Sequence, residues 1–207
     1  MKYAIACTCL CLLLSCINSH KTLKDPRDKQ RYSVKKFGKQ LWMTADLQYR
    51  PVDDNGFWIY KDSAAAYGAY YNQEAAKKAC PPGWHLPSRA EWLKLMGFLS
   101  ASKNKTGGVK VLLDDILAGG KKGTGFSLGG LYNAERKVFA GADIMGYYWT
   151  STDTLWNSSD TAMMKYNGRK FAGTHIYPVA VDSGHIEPTF LPASHFGLLC
   201  RCVKDKS

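Results

Sequence analysis

The stretch Ala75-Ala76-Lys77-Lys78-Ala79-Cys80-Pro81-Pro82-Gly83-Trp84-His85-Leu86-Pro87-Ser88-Arg89-Ala90-Glu91-Trp92 decides the fold. It contains the end of one helix, a hard stop and the start of another. Asn72 stands where its side chain can cap a helix running through residues 73–80, and Pro81-Pro82-Gly83 ends it, because proline offers no N–H and clashes with the preceding turn. Ser88-Arg89-Ala90-Glu91 has the form of a capping box, in which Ser88 and Glu91 each satisfy a free backbone N–H. The helix that follows places Trp92, Leu95, Met96 and Leu99 on one face and must pack against a core. A third amphipathic stretch, residues 109–117, ends at Gly119-Gly120.

Upstream of this pair of helices the text is strand-like. Tyr32-Ser33-Val34-Lys35-Lys36-Phe37, the turn Gly38-Lys39 and Gln40-Leu41-Trp42-Met43 predict a hairpin. Residues 49–60, with Pro51 and Asp53-Asp54-Asn55-Gly56, carry a loop signature. After Gly123, glycines, aromatics and β-branched residues dominate in short alternating runs such as Lys137-Val138-Phe139 and Tyr147-Tyr148-Trp149-Thr150. Helices first and strands later, with an opening hairpin able to pair with the last strand, predict an α+β fold. We expect two to three helices packed on a small, mainly antiparallel sheet, and a long irregular loop region between residues 149 and 195. The sequence shows no internal repeat and no low-complexity segment.

The N-terminus reads as an export signal. Met1-Lys2 gives a positive start, residues 3–14 are almost wholly apolar or small, and Leu13-Leu14-Ser15-Cys16 closes the run. The run is too short for a permanent span. The last four residues resemble a lipobox, which predicts cleavage before Cys16 and lipid attachment at its sulfur; an ordinary signal containing incidental cysteines is the competing reading. The expected organisation is a signal peptide over residues 1–15, a lipid-anchored tether over 16–24 and a single domain over 25–205. Ile17, standing where an aspartate would favour inner-membrane retention, points to an outer membrane lipoprotein facing the periplasm or the cell surface. The chain carries a net charge of +11, but its lysines and arginines come in scattered pairs and no nucleic-acid motif encloses them. A solvated basic surface is expected, with attraction to anionic glycan or lipopolysaccharide as the functional alternative. Nucleic acid is not an expected partner.

Outside the signal, Cys80, Cys200 and Cys202 remain. An oxidising compartment favours a disulfide, and three thiols leave one over. Leu198-Leu199-Cys200-Arg201-Cys202-Val203 reads as a strand, so Cys200 and Cys202 would have Cα atoms roughly 6.5–7 Å apart, at or beyond disulfide range. Cys80 is therefore expected to bond one of the two.

Several of these stretches together resemble the Fibrobacter succinogenes major paralogous domain. Asp25-Pro26-Arg27-Asp28 with Tyr32, Val34, Gly38, Gln40, Trp42 and Met43 is similar to its opening. Residues 75–87 with Glu91-Trp92 match its middle signature, and Gly125-Phe126-Ser127, Gly129-Gly130, Trp149-Thr150-Ser151-Thr152 and Arg201-Cys202-Val203 match its later part. The likeness runs over residues 25–203. It implies that Cys80 and Cys202 form the disulfide, and that Cys200, replacing an apolar residue of the family, is a buried free thiol. The family in turn looks similar to the C-type lectin-like fold, where a helix cysteine bonds to one in the last strand.

Trp84, His85, Trp92 and Trp149 lie inside these motifs and are expected to fill the core rather than to stack a sugar. Trp156-Asn157-Ser158 and Glu187-Pro188-Thr189 do not supply the oxygen set that calcium-dependent lectins use. His175, His185 and His195, with His185-Ile186-Glu187, lack the cysteine spacing of a zinc deaminase. Neither a metal nor a cofactor is expected. Catalytic signatures such as Gly-x-Ser-x-Gly or a phosphate-binding glycine loop are missing. Three short sites, Asp62-Ser63-Ala64, Asp153-Thr154-Leu155 and Asp160-Thr161-Ala162, resemble a bacterial O-glycosylation motif. The expectation is a non-catalytic, calcium-independent binding or adhesion module for a glycan or a protein, with Trp156, Asn157, Asp160, Tyr177, His185, Glu187 and His195 as candidate ligand residues on variable loops. The alternatives are an oxidative enzyme of the sulfatase-activating type, which needs a reactive Cys200, and a structural envelope protein. Thiol reactivity separates the first two.

Overall fold

A computed structural model describes residues 21–52, 55–60, 67–101, 123–154 and 195–206, together with the backbone of short strands between residues 165 and 192. Cys16, the stretch 109–117, and Trp156, Asn157, Asp160, Tyr177 and His185 lie outside the described residues; Glu187 is placed by its backbone alone.

The chain opens with β1 (Thr22–Lys24), β2 (Arg31–Phe37), β3 (Gln40–Met43), β4 (Phe57–Ile59) and β5 (Ala69–Tyr71). Helix α1 (Gln73–Ala79), β6 (Trp84–His85) and helix α2 (Arg89–Ala101) follow. Then come β7 (Leu131–Asn133), β8 (Val138–Ala140), β9 (Gly146–Tyr148) and β10 (Asp153–Thr154). The short strands β11 (Lys165–Tyr166), β12 (Arg169–Lys170), β13 (His175–Ile176), β14 (Val179–Val181), β15 (Ile186–Pro188) and β16 (Leu191–Pro192) precede the final β17 (Phe196–Leu199) and β18 (Val203–Lys204).

The class is α+β, with two helices among the described residues and sheets that are antiparallel apart from the parallel pair β9 and β17. Of the two larger sheets, one has the order β1-β2-β3-β18-β6 and the other β15-β14-β9-β17-β5-β4, with β7 and β8 attached through β17; β10-β13-β16 and β11-β12 form two small sheets of their own. Strand dominates, so the sheet is larger than expected. Residues 153–192, read from sequence as irregular, include β10 to β16; these pieces of two or three residues are too short to leave a period in the sequence.

Both helix starts form as their side chains dictate. The Asn72 side chain accepts from the Ala75 N–H at 2.8 Å. Ser88 N–H donates to Glu91 Oε2 at 2.9 Å while Glu91 N–H donates to Ser88 Oγ at 3.3 Å, the reciprocal box. Trp92, Leu95 and Leu99 are buried against Phe37, Trp42 and Phe126. The opening hairpin pairs with the last strand, Trp42 opposite Val203.

The chain's end is the hub of the two larger sheets. β17 pairs with β5, β7 and β9. It does not run on as one strand through Val203, because Cys200 and Cys202 turn their carbonyls to the N–H groups of Leu47 and Met43 at 2.9 Å each. The chain thereby crosses from one sheet to the other. Cys80 and Cys202 are bonded, with Cα atoms 5.8 Å apart, and this ties the end of α1 to that crossing. Cys200 is free and buried.

Candidate functional site

The crossing buries a charge. Arg201 is 1% exposed, and its Nε donates to Asp46 Oδ1 at 2.8 Å. Its remaining nitrogens donate to the carbonyls of Thr124 and Gly125, and its guanidinium lies 4.4 Å from the Phe126 ring centroid and 5.3 Å from that of Tyr148. Burial works against the charged guanidinium, but Asp46 and Tyr148 outweigh it and raise its pKa. Asp46 also accepts from Ser127 Oγ at 2.5 Å and from the Tyr148 hydroxyl at 3.4 Å. The buried ion is thus held by a carboxylate and two carbonyls, as its burial requires. Gly125, at φ +64°, passes so close that an added Cβ would stand 1.7 Å from the Thr44 carbonyl oxygen. This network ties Asp46, residues 124–127 and Tyr148 to the chain's end.

That surface is an aromatic face. Successive strand residues point to opposite sides, so β4 sends Phe57 to one core and Trp58 to the other. On Trp58's side the ring stacks on Tyr132 of β7 with centroids 4.6 Å apart and planes 28° apart. Phe139 of β8 sits 4.9 Å from Tyr132, 4.7 Å from Tyr60 and 5.0 Å from Tyr70, and Tyr60 stacks on Tyr67 at 6.2 Å. Helix α2 covers the neighbouring part of this side through Trp92 and Leu95. Trp58, Tyr60, Tyr67 and Phe139 stay only partly buried at the rim.

Gly197 makes the close approach possible, because a Cβ there would meet Trp58 Cε3 at 2.7 Å. At one edge the Tyr67 hydroxyl donates to the exposed carboxylate of Asp143. Burial, then this hydrogen bond, push the Tyr67 pKa up to about 12, so the hydroxyl stays protonated at neutral pH. Flat rings beside a carboxylate and a hydroxyl are groups that meet a ligand with one apolar and one polar aspect.

Of the residues expected to bind ligand, His195 is described. It lies directly before β17, half-buried, with Nε2 3.2 Å from Glu135 Oε1. The Ala134 N–H donates to its carbonyl, which places it at the end of the β7–β8 hairpin that carries Tyr132 and Phe139. Glu187 pairs through its backbone with Ala180 in the β14–β15 ladder.

Trp92 and Trp149 are fully buried, as expected for core residues. His85 differs. It is partly exposed and bridges two carboxylates, with Nδ1 2.5 Å from Asp205 and Nε2 3.1 Å from Glu91. Burial lowers its pKa, but the bonds to Asp205 and Glu91 outweigh that and raise it. No group of three His, Cys, Asp or Glu able to hold a metal ion occurs among the described residues. Burial, with a smaller contribution from Asp46, pushes the Cys200 thiol well above its ordinary pKa.

Sequence reasoning missed the aromatic face. Trp58-Ile59-Tyr60 sits in a stretch read as loop, and Tyr132 and Phe139 are far from it in sequence; the alternation of Trp58 and Tyr60 was the available signal.

The geometry defines a class: an α+β domain tied by the Cys80–Cys202 disulfide, with a partly exposed aromatic face on its larger sheet. The chain belongs to the Fibrobacter succinogenes major domain family, whose model matches residues 36–204. No curated protein and no solved structure matches it.

Proposed function

We propose that this protein is a surface-exposed outer membrane lipoprotein, lipidated at Cys16, whose C-type lectin-like domain binds a glycan without calcium and without catalysis. The observation that carries the proposal is the stacked aromatic face of Trp58, Tyr60, Tyr67, Tyr132 and Phe139 beside Asp143. A pyranose ring presents polarised C–H groups on one face and hydroxyls at its edge. The negative face of an aromatic ring attracts the former, and a carboxylate accepts from the latter. The rings sit on a hydrogen-bonded sheet, so little ordering entropy opposes binding. The disulfide and the filled Asp46–Arg201 centre support the same reading, since they make a rigid scaffold rather than a reactive site.

The loop residues Trp156, Asn157, Asp160, Tyr177, His185 and Glu187 would supply further contacts, with His195 entering from the β7–β8 side. The oxidase alternative asks for reactive thiols at Cys200 and Cys202. Cys202 is in the disulfide and Cys200 is buried with a raised pKa, and both facts favour the binding reading. The test is an array of plant, host and bacterial glycans probed with and without a calcium chelator. Chelator-insensitive binding supports the proposal; silence from folded protein sends the search to protein partners.

A further inference from the structure

We propose that the β2–β3 hairpin tip is a membrane-contact surface that rests on anionic lipid headgroups and orients the domain; this rests on the lipid-anchor reading above. The first observation is where the chain enters the fold. The Val34 N–H donates to the Lys21 carbonyl at 2.9 Å, and Thr22 pairs with Ser33 antiparallel. Traced backwards, the chain therefore leaves the sheet beside Val34 and Lys35, heading toward the turn at Gly38-Lys39. Four residues lie between Cys16 and Lys21, so five chain steps span at most about 18 Å. A domain of this length has a radius of gyration of about 16 Å, so its far side lies beyond that tether. The membrane must approach the side that carries this hairpin.

The second observation is charge. Lys35, Lys36 and Lys39 are all exposed, Lys21 is exposed beside them, and residues 31–43 contain no acidic residue. The acidic groups nearest in sequence are Asp46 and Asp25, which are buried and paired with Arg201 and Arg27, and exposed Asp28, before the far end of β2. The third is an aromatic at the same place. Phe98 of α2, 42% exposed, stands edge-on to Phe37 at 6.2 Å and would lie 3.3 Å from a Cβ on Gly38. Basic side chains around an exposed aromatic fit the headgroup layer, where the cations meet phosphate and the ring meets the acyl boundary. Each cation near an anionic surface shifts the balance toward contact about fivefold.

The experiment uses the full lipidated protein, in vesicles of phosphatidylcholine alone and of equal parts phosphatidylcholine and phosphatidylglycerol. Amine acetylation is read lysine by lysine by mass spectrometry. In the anionic vesicles, Lys21, Lys35, Lys36 and Lys39 are expected to react about fivefold more slowly relative to exposed Lys137 than in the neutral ones. In a Lys35→Glu, Lys36→Glu, Lys39→Glu variant, that slowing disappears at Lys21. The same spectra report whether Cys16 carries lipid. An unmodified Cys16 overturns the anchor and this proposal together. A lipidated Cys16 with equal reactivities in the two vesicle types overturns the contact surface alone.

Discussion

Replacing Asp46 with alanine isolates what the buried centre contributes. The side chains of Arg201 and Asp46 are 1% and 5% exposed. Without Asp46, Arg201 keeps the carbonyls of Thr124 and Gly125 and the rings of Phe126 and Tyr148, but its buried charge has no counterpart. Ser127 and Tyr148 lose an acceptor at the same time. Breaking one half of a buried pair costs about 3–5 kcal/mol, a large share of the 5–15 kcal/mol that holds a typical domain together. At about 2–4 °C per kcal/mol for a chain of this size, Tm falls by roughly 6–20 °C. Asp46→Asn, which keeps an acceptor, costs less. Asp46→Leu combined with Arg201→Met costs less than Asp46→Ala, because no charge is left stranded, although the two carbonyls still lose their donors. Urea unfolding followed by tryptophan fluorescence measures all three. A loss below about 1 kcal/mol for Asp46→Ala would refute the claim that the pair is desolvated and obligatory.

Three further outcomes follow from the geometry. The raised pKa of His85 means that its carboxylate contacts stabilise the fold fully below about pH 6.5, the ordinary histidine value, and lose that contribution as pH rises through the folded value. Glu91, whose pKa hydrogen bonds from Ser88 and His85 lower against the opposing effect of burial, contributes above its unfolded pKa and stops as pH falls through the lowered one. Stability against pH should therefore lose its neutral-range slope in His85→Gln, by less than about 1 kcal/mol at a site this exposed; an unchanged slope contradicts the assignment. Cys200 should resist iodoacetamide in native protein and react once urea unfolds it, while Cys202→Ala, opening a closure of 122 residues, should cost about 5 kcal/mol in the chain-entropy model. Gly125→Ala, forced into φ +64° against the Thr44 carbonyl, should cost about 3 kcal/mol or more, and near-wild-type urea stability would argue against that close approach.

What the sequence disclosed was local. Asn72, Pro81-Pro82-Gly83 and the Ser88–Glu91 box act over three or four residues, so their meaning is complete within the stretch that contains them. The pairing of Cys80 with Cys202 was legible through family likeness, since spacing alone left two partners open. The buried ion pair was not legible, because Asp46 and Arg201 are 155 residues apart and each, read singly, is an ordinary surface type. The aromatic face stayed hidden for a related reason. Trp58, Tyr67, Tyr132 and Phe139 converge only when β17 brings β5 and β7 together, and strands of three residues carry too little alternation to announce a face. His85 looked like core because its neighbours Leu86 and Trp92 are core, and the carboxylate that draws it outward belongs to Asp205, 120 residues on.

The most direct test of the account is the affinity of the protein for its strongest glycan from the array, compared with that of Trp58→Ala and Tyr60→Ala at matched stability. Removing one stacking ring should weaken binding by about 1–3 kcal/mol, or five- to 150-fold, with chelator making no difference. Undiminished affinity in both variants would contradict the aromatic face as the binding site.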